Sequence, residues 1–251
     1  MKAYQRIVLK VGSSVLTENG EIAKERMLNL VSLITQLRKK YEVVLVSSGA
    51  VASGYTALKL DKRKQISKKV MAAVGQPILM SSYKKKFDIY DVDTAQILLT
   101  EDDFDSRKRT EIFRQIINTA LENGILPIVN ENDISSTPDQ LFGDNDQLAA
   151  RVAHHTRSDL LVILSDIEGY SDSNPSDHPD PKISKDVNHL TDKELGATHS
   201  PTDEFASRGI VTKLIAADFL ISKGRQLFLS IGCALTNAYE HLMNYDPLTV
   251  T

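Results

Sequence analysis

Two polar clusters in the stretch from Leu126 to Ala153, LPIVNENDISSTPDQLFGDNDQLAARVA, are the residues best suited to chemistry. The first, Asn130-Glu131-Asn132-Asp133, follows a short buried strand predicted over Pro127–Asn130. The second, Gly143-Asp144-Asn145-Asp146, stands directly before a helix that begins with Gln147, Leu148 and Ala149. Asp and Asn side chains bond to nearby backbone and disrupt regular structure, so such density is costly for folding alone. A turn followed by an N-capped helix would account for part of it, because Gly-Asp-Asn is good turn and cap chemistry. One cap needs one acceptor, however, and here there are several. Placed between a strand and a helix, the stretch reads as a site at the carboxyl end of a sheet, where open α/β folds place their ligands.

The elements that must position these residues can be read in order. Ile7-Val8-Leu9 is an apolar run ending in Lys10-Val11-Gly12-Ser13-Ser14, a first strand breaking into a small-residue loop. After a turn near Asn19-Gly20, apolar residues recur at Met27, Leu30, Val31, Ile34 and Leu37, the spacing of a helix packed on a sheet. A second strand, Val43–Val46, stops at Ser47-Ser48-Gly49-Ala50, and helical sequence resumes. Two adjacent strands ending in such loops would line one edge with backbone N–H groups. Glycine lets a ligand approach, and a helix N-terminus favours an anion. With Lys10 just before the first glycine, the pair suggests a phosphate cradle. It is neither GxxxxGK[ST] nor GxGxxG. Further on, Lys59 to Lys86 is basic with helical spacing and a predicted break at Ala73–Pro77. Val92–Leu99 reads as a strand, Asp105–Asn123 as a helix, Leu160–Leu164 as a fully apolar strand ending in Ser165-Asp166, and Gln226–Ser230 as a last strand. Ser171–Lys182 reads as an exposed loop, and Ser207–Lys213 as a small-residue loop before a helix over Leu214–Lys223. Strands and helices alternate throughout, which argues for a largely parallel sheet with right-handed crossovers.

Composition bounds the function. A chain of 251 residues with 41% hydrophobic content can bury a large core as one α/β domain or two closely joined lobes. A net charge of −3 gives no sign of a general nucleic-acid or membrane-surface binder. The basic clusters Lys62-Arg63-Lys64, Lys68-Lys69 and Lys84-Lys85-Lys86 read as solvated helix faces. One cysteine, Cys233, rules out an intramolecular disulfide and a Cys-rich zinc site. His154 and His155, as sequence neighbours on a helix, are expected to point in different directions. With no apolar signal region and no membrane-spanning run, the expected location is cytoplasmic.

At Val8–Ser14, Val46–Ala50, Ala72–Gln76, Asn130–Asp133, Phe142–Asp146 and Thr212-Lys213-Leu214 the chain resembles the amino acid kinase family, in the family's order and across nearly its whole length. Within that family it is most similar to the kinases acting on L-glutamate. The resemblance implies a three-layer αβα sandwich with a central, mainly parallel sheet. It implies one domain over residues 1–251, with an acceptor-binding lobe to about residue 155 and a nucleotide-binding lobe from about 156. It implies ATP-dependent phosphorylation of the γ-carboxylate of L-glutamate to γ-glutamyl phosphate, the first step toward proline. Lys10 and Lys213 would flank the transferring phosphoryl group, Gly12 and Gly49 would donate backbone N–H groups, and Asp146 would hold both lysines. Ser48, Asp133 and Asn145 match the glutamate-binding set. Lys10, Ser165, Asp166, Ser207, Arg208, Gly209 and Lys213 would meet the nucleotide, with Mg²⁺ carried on its phosphates and no dedicated protein metal site. The family's nucleotide loop is usually richer in glycine; here Ala206–Val211 retains only Gly209 and adds Arg208 as a phosphate contact. Many members carry a C-terminal PUA domain, and a chain ending at Thr251 is expected to be a short form without it. L-Proline as feedback inhibitor and a homo-oligomer are further implications. An acetylglutamate or UMP kinase, or a non-catalytic glutamate or nucleotide sensor, would be the alternatives. A phosphate acceptor would want arginines near the acceptor site, and residues 130–146 hold none.

Overall fold

Side-chain alternation along the first strand decides which layer each residue serves. In β1 (Arg6–Val11) the odd positions Ile7, Leu9 and Val11 enter one apolar layer and Val8 enters the other. Lys10 shares the face of Val8, and this parity aims its ammonium at the second layer. The computed structural model describes residues 5–18, 21–136, 145–166, 170–171, 183–184, 206–232 and 235–244. After β1 come a one-turn helix α1 (Ser13–Leu16), a small antiparallel pair β2 (Thr17–Glu18) and β3 (Glu21–Ile22), and α2 (Lys24–Leu37). Then follow β4 (Glu42–Ser47), α3 (Ala50–Leu58), α4 (Gln65–Phe87), β5 (Thr94–Leu99), α5 (Asp102–Asp105), α6 (Arg107–Glu122) and β6 (Leu126–Glu131). The remainder holds α7 (Asn145–His155), β7 (Leu160–Ser165), a short pair β8 (Tyr170–Ser171) and β9 (Ile183–Ser184), α8 (Ala206–Ser222), β10 (Gln226–Ile231) and α9 (Leu235–Asn244).

Six strands form one sheet in the order β10-β7-β1-β4-β6-β5, every pair parallel. Buried residues of α2, α4 and α9 pack on one face, and those of α6, α7 and α8 on the other. This is the expected αβα sandwich. Parallel pairing brings all six C-terminal strand ends to one edge. β1 lies at the centre, with β4 on one side and β7 on the other, so the chain's direction of winding reverses there.

Two expectations are corrected. The break at Ala73–Pro77 is absent, because α4 runs through Pro77 without interruption. Its glycine serves packing instead. A Cβ on Gly75 would lie 1.8 Å from the Ala50 carbonyl oxygen, and one on Gly54 would lie 1.8 Å from that of Met71. The two glycines let α3 and α4 cross backbone to backbone, and that contact offsets the cost of an interior proline. Likewise Ser207–Lys213 is no loop, since α8 begins at Ala206. With one glycine and no proline, the segment has nothing to stop a helix. The turn at Asn19-Gly20, Cys233 and all of the predicted loop Ser171–Lys182 except Ser171, which ends β8, lie outside the described residues. Among the described residues, no helix is long and apolar enough to cross a membrane.

Candidate active site

The edge is built around a buried carboxylate. Asp146, in the first turn of α7, is 0% exposed. Lys10 reaches it from β1, with Nζ 2.6 Å from Oδ1. Lys213 reaches it from α8, with Nζ 3.0 Å from Oδ2, and the Thr212 hydroxyl donates to the same oxygen at 3.3 Å. A carboxylate taken this far from water must be paired, and here one anion orients two cations, one from β1 and one from α8. Its position at a helix start adds favourable helix-dipole energy. Sequence positions 10, 146 and 213 thus converge on one point.

Beside this cluster lies a cavity of about 290 Å³, walled by Ser13, Ser48, Gly49, Asn130, Asp133 and Asn145 among others. That is just below the usual range for small-molecule pockets, about 300–1,000 Å³. The Asn145 amide organises its floor. It donates to the Ser48 hydroxyl at 3.0 Å, the Ser47 carbonyl at 3.0 Å and the Asn130 side-chain carbonyl at 2.9 Å. Asn130 in turn donates to Gln76 at 2.8 Å. Sequence reasoning placed Asn130 in a polar cluster but gave it no role. Its signal was an amide on the last residues of an otherwise apolar strand. Gln76 stood in a supposed helix break and in a segment that matches the family, and it was given no role.

Around the cavity, backbone N–H groups supply positive potential. Gly49 has φ +109°, a left-handed conformation suited to glycine, and it turns β4 into the N-terminus of α3. The first N–H groups of any helix have no intrahelical partner, so the starts of α1 and α3 present donors to this edge. The Gly12 N–H is donated to the Leu164 carbonyl at 3.2 Å, extending the β1–β7 ladder. At the end of β1 the donors left facing the edge are therefore those of Ser13 and Ser14.

The loop after β6 carries Asp133. Lys69 of α4 closes this loop by donating to the carbonyls of Ile134 at 2.9 Å and Ser136 at 2.5 Å. Burial pushes the Asp133 carboxyl above the usual aspartate range, and the Lys69 ammonium pulls it part of the way back. On β4, the Ser47 hydroxyl bonds the fully buried Tyr83 hydroxyl at 2.8 Å, which ties α4 to the strand end. Burial drives the Tyr83 phenol upward, so it stays neutral.

Ser165 and Asp166 stand at the end of β7, across β1 from the cavity. The Ser165 hydroxyl donates to the Asp166 carboxylate at 3.0 Å, and the Gly232 N–H donates to the Ser165 carbonyl at 2.7 Å. Ser207, Arg208 and Gly209 lie in the first turn of α8, and their side chains are outside the described part. Gly143 and Asp144 are outside it as well. The two histidines do not diverge as expected. The His154 and His155 rings meet edge to face at 4.8 Å, close to Phe219 and Phe104, and burial holds His155 down to about 4. Neither histidine walls the cavity. Among the described residues, no group of three or more His, Cys, Asp or Glu side chains is arranged to hold a metal ion.

Comparison with known proteins agrees with this geometry. The model of the amino acid kinase family matches residues 5–229. A glutamate 5-kinase of Wolinella succinogenes is 49% identical, over 95% of this chain and 94% of the relative. One of Helicobacter hepaticus is 46% identical, over 95% and 90%. Among solved structures, isopentenyl phosphate kinase superposes with a TM-score of 0.66 over 96% of this chain and 97% of its own, at 15% identity, a likeness of fold. The parallel sheet, the paired lysines and the matched length lead to one conclusion: the chain belongs to the amino acid kinase family and groups there with glutamate 5-kinases.

Proposed function

We propose that the chain transfers the γ-phosphoryl group of ATP to the γ-carboxylate of L-glutamate, giving γ-glutamyl phosphate and ADP, the first step of proline biosynthesis. The observation that carries this reading is that two features share one sheet edge. A small cavity is lined by Ser48, Asp133 and Asn145, and Asn145 directly precedes Asp146, the centre of the Lys10–Asp146–Lys213 cluster, in α7. The acceptor carboxylate is already ionised at neutral pH, so no general base is needed. A carboxylate oxygen attacks the γ-phosphorus as the bond to the β,γ-bridging oxygen breaks, and ADP leaves with the electron pair. The obstacle is bringing two anions into line, and the protein meets it by positioning and charge neutralisation.

In this reading Lys10 and Lys213 neutralise the transferring group from either side. Asp146 sets the spacing of the two lysines and takes no proton. Gly49 and the helix starts behind Ser13 and Ser48 donate N–H groups to the same charge, with Gly12 shaping the turn. Asp133 receives the substrate ammonium. The nucleotide lies over the part of the chain from about residue 156, toward Ser165, Asp166 and the start of α8 with Ser207, Arg208 and Gly209. Mg²⁺ would arrive on its phosphates and would neutralise phosphate charge. No arginine walls the described cavity, which favours an amino acid over a phosphate-bearing acceptor such as UMP.

L-Proline carries the same α-carboxylate and a cationic nitrogen and would compete in the same cavity; inhibition relieved by added glutamate would mark that competition. A homo-oligomer belongs to the same reading, supported by an exposed apolar stripe of Ile66, Val70, Val74 and Ile78 along α4. Sedimentation of the purified chain reads it directly, and a monomer alone would contradict it. The catalytic reading is tested by ADP release from Mg-ATP with L-glutamate, with hydroxylamine present to trap the acyl phosphate as a hydroxamate.

A further inference from the structure

The connection between α3 and α4 brings one cation to the acceptor cavity that the catalytic cluster does not use. Lys62 forms part of the cavity wall. Its ammonium lies 3.6 Å from the centroid of the Tyr55 ring on α3, a cation–π contact that parks it beside the mouth. The neighbouring Arg63 is turned away, its guanidinium bonded to Asp61 at 3.1 Å. The other charged residues in the described wall are Glu131 and Asp133, both carboxylates. The wall therefore offers one mobile ammonium and two acids.

L-Glutamate is the complementary pattern, with two carboxylates and one ammonium. Its γ-carboxylate must lie toward Lys10 and Lys213 to react, and its ammonium is drawn to the acidic side of the cavity. The α-carboxylate is then the charge without an assigned cation. The first residues of α3, Ala50, Val51 and Ala52, line the cavity, and a helix start suits an anion. A helix start alone does not discriminate between anions, whereas a lysine on a flexible stem can close over one.

We propose that Lys62 is a specificity-determining residue that leaves the Tyr55 ring to bind the α-carboxylate of the acceptor. The inference rests on the glutamate kinase reading and deepens it. It separates acceptors that share the reacting end but differ at the α-carbon. 4-Aminobutyrate keeps the γ-carboxylate and an amine and lacks the α-carboxylate, so it cannot use Lys62.

The test compares ADP release by wild type, Lys62→Met and Lys62→Arg with each acceptor. Lys62 is exposed, so the substitutions leave the fold intact, and thermal unfolding checks that. Lys62→Met is expected to raise the KM for L-glutamate about tenfold, the low end for a charge-assisted contact open to water, with kcat within about twofold. Its kcat/KM for 4-aminobutyrate should stay within about twofold of wild type, and Lys62→Arg should recover most of the glutamate affinity. Equal losses on both acceptors, or no loss on glutamate, would overturn the assignment while leaving the kinase reading standing. A wild-type chain that neither binds nor phosphorylates glutamate would overturn both.

Discussion

Asp146 shows how little freedom the site leaves to single residues. A fully buried carboxylate with cations at 2.6 and 3.0 Å cannot lose one partner without leaving charge uncompensated. Lys10 has the more demanding position, since it sits at 3% exposure on a central strand. Lys10→Ala should lower kcat by two to three orders of magnitude, the loss of about 2.7–4 kcal/mol typical of one preorganised donor, while glutamate still binds. Single-turnover kinetics with a separate binding measurement checks this, and near-normal turnover would reject the role. Asp133 makes a second prediction through its raised carboxyl. It must be ionised to attract an ammonium, so kcat/KM for glutamate should fall as pH drops through its elevated folded-state pKa. Lys69→Met, which removes a stabilising cation, should move that limb to higher pH. The stability sign is opposite. A carboxyl raised on folding contributes most below its unfolded pKa, and that contribution is lost as pH rises through the folded value. Asp133→Asn should therefore raise the melting temperature at neutral pH while weakening glutamate binding; a lowered melting temperature would contradict the burial argument. At this scale, Lys10, Asp146 and Asn145 were legible because charged and amide side chains at strand and helix ends are conspicuous. The Asn145–Asn130–Gln76 relay was not, because it joins three elements whose approach no local pattern encodes.

Elements were readable where apolar periodicity was strong and misread where composition alone spoke. The strands of the central sheet and the helix α2 follow from runs of Val, Leu and Ile. Glycine and proline near Ala73–Pro77 looked like punctuation, yet α4 continues, because Gly75 answers to α3 and not to its own backbone. The start of α8 was read as a loop from its small residues, which do not by themselves stop a helix. In the proposed function the α3–α4 crossing matters, since α3, capped by Gly49, walls the cavity assigned to the acceptor. Gly75→Ala should force the helices apart against the Ala50 carbonyl, destabilise the chain by about 1–3 kcal/mol and raise the KM for glutamate more than that for ATP. Chemical denaturation and steady-state kinetics report the two effects. Unchanged stability would show that the crossing is looser than its geometry.

For the molecule as a whole, strand order assigns the division of labour. With β1 between β4 and β7, the proposed function sets the acceptor on one side of this strand and the nucleotide on the other, with Lys10 on the strand between them. Residues at the ends of β4 and β6 and just after β1 wall the small cavity, and the proposed function assigns the β7 and β10 ends to the nucleotide. A parallel sheet could be foreseen from alternating elements, but the order of its strands depends on non-local pairing that sequence patterning does not fix. The most direct measurement of the central claim is hydroxamate formation from Mg-ATP with L-glutamate, N-acetyl-L-glutamate, L-aspartate and UMP as separate acceptors, each assayed for ADP. A cavity of this size with an acidic wall predicts hydroxamate and ADP with L-glutamate alone. Turnover with N-acetyl-L-glutamate or UMP, and none with L-glutamate, would keep the fold and contradict the reading of the Ser48–Asp133–Asn145 site.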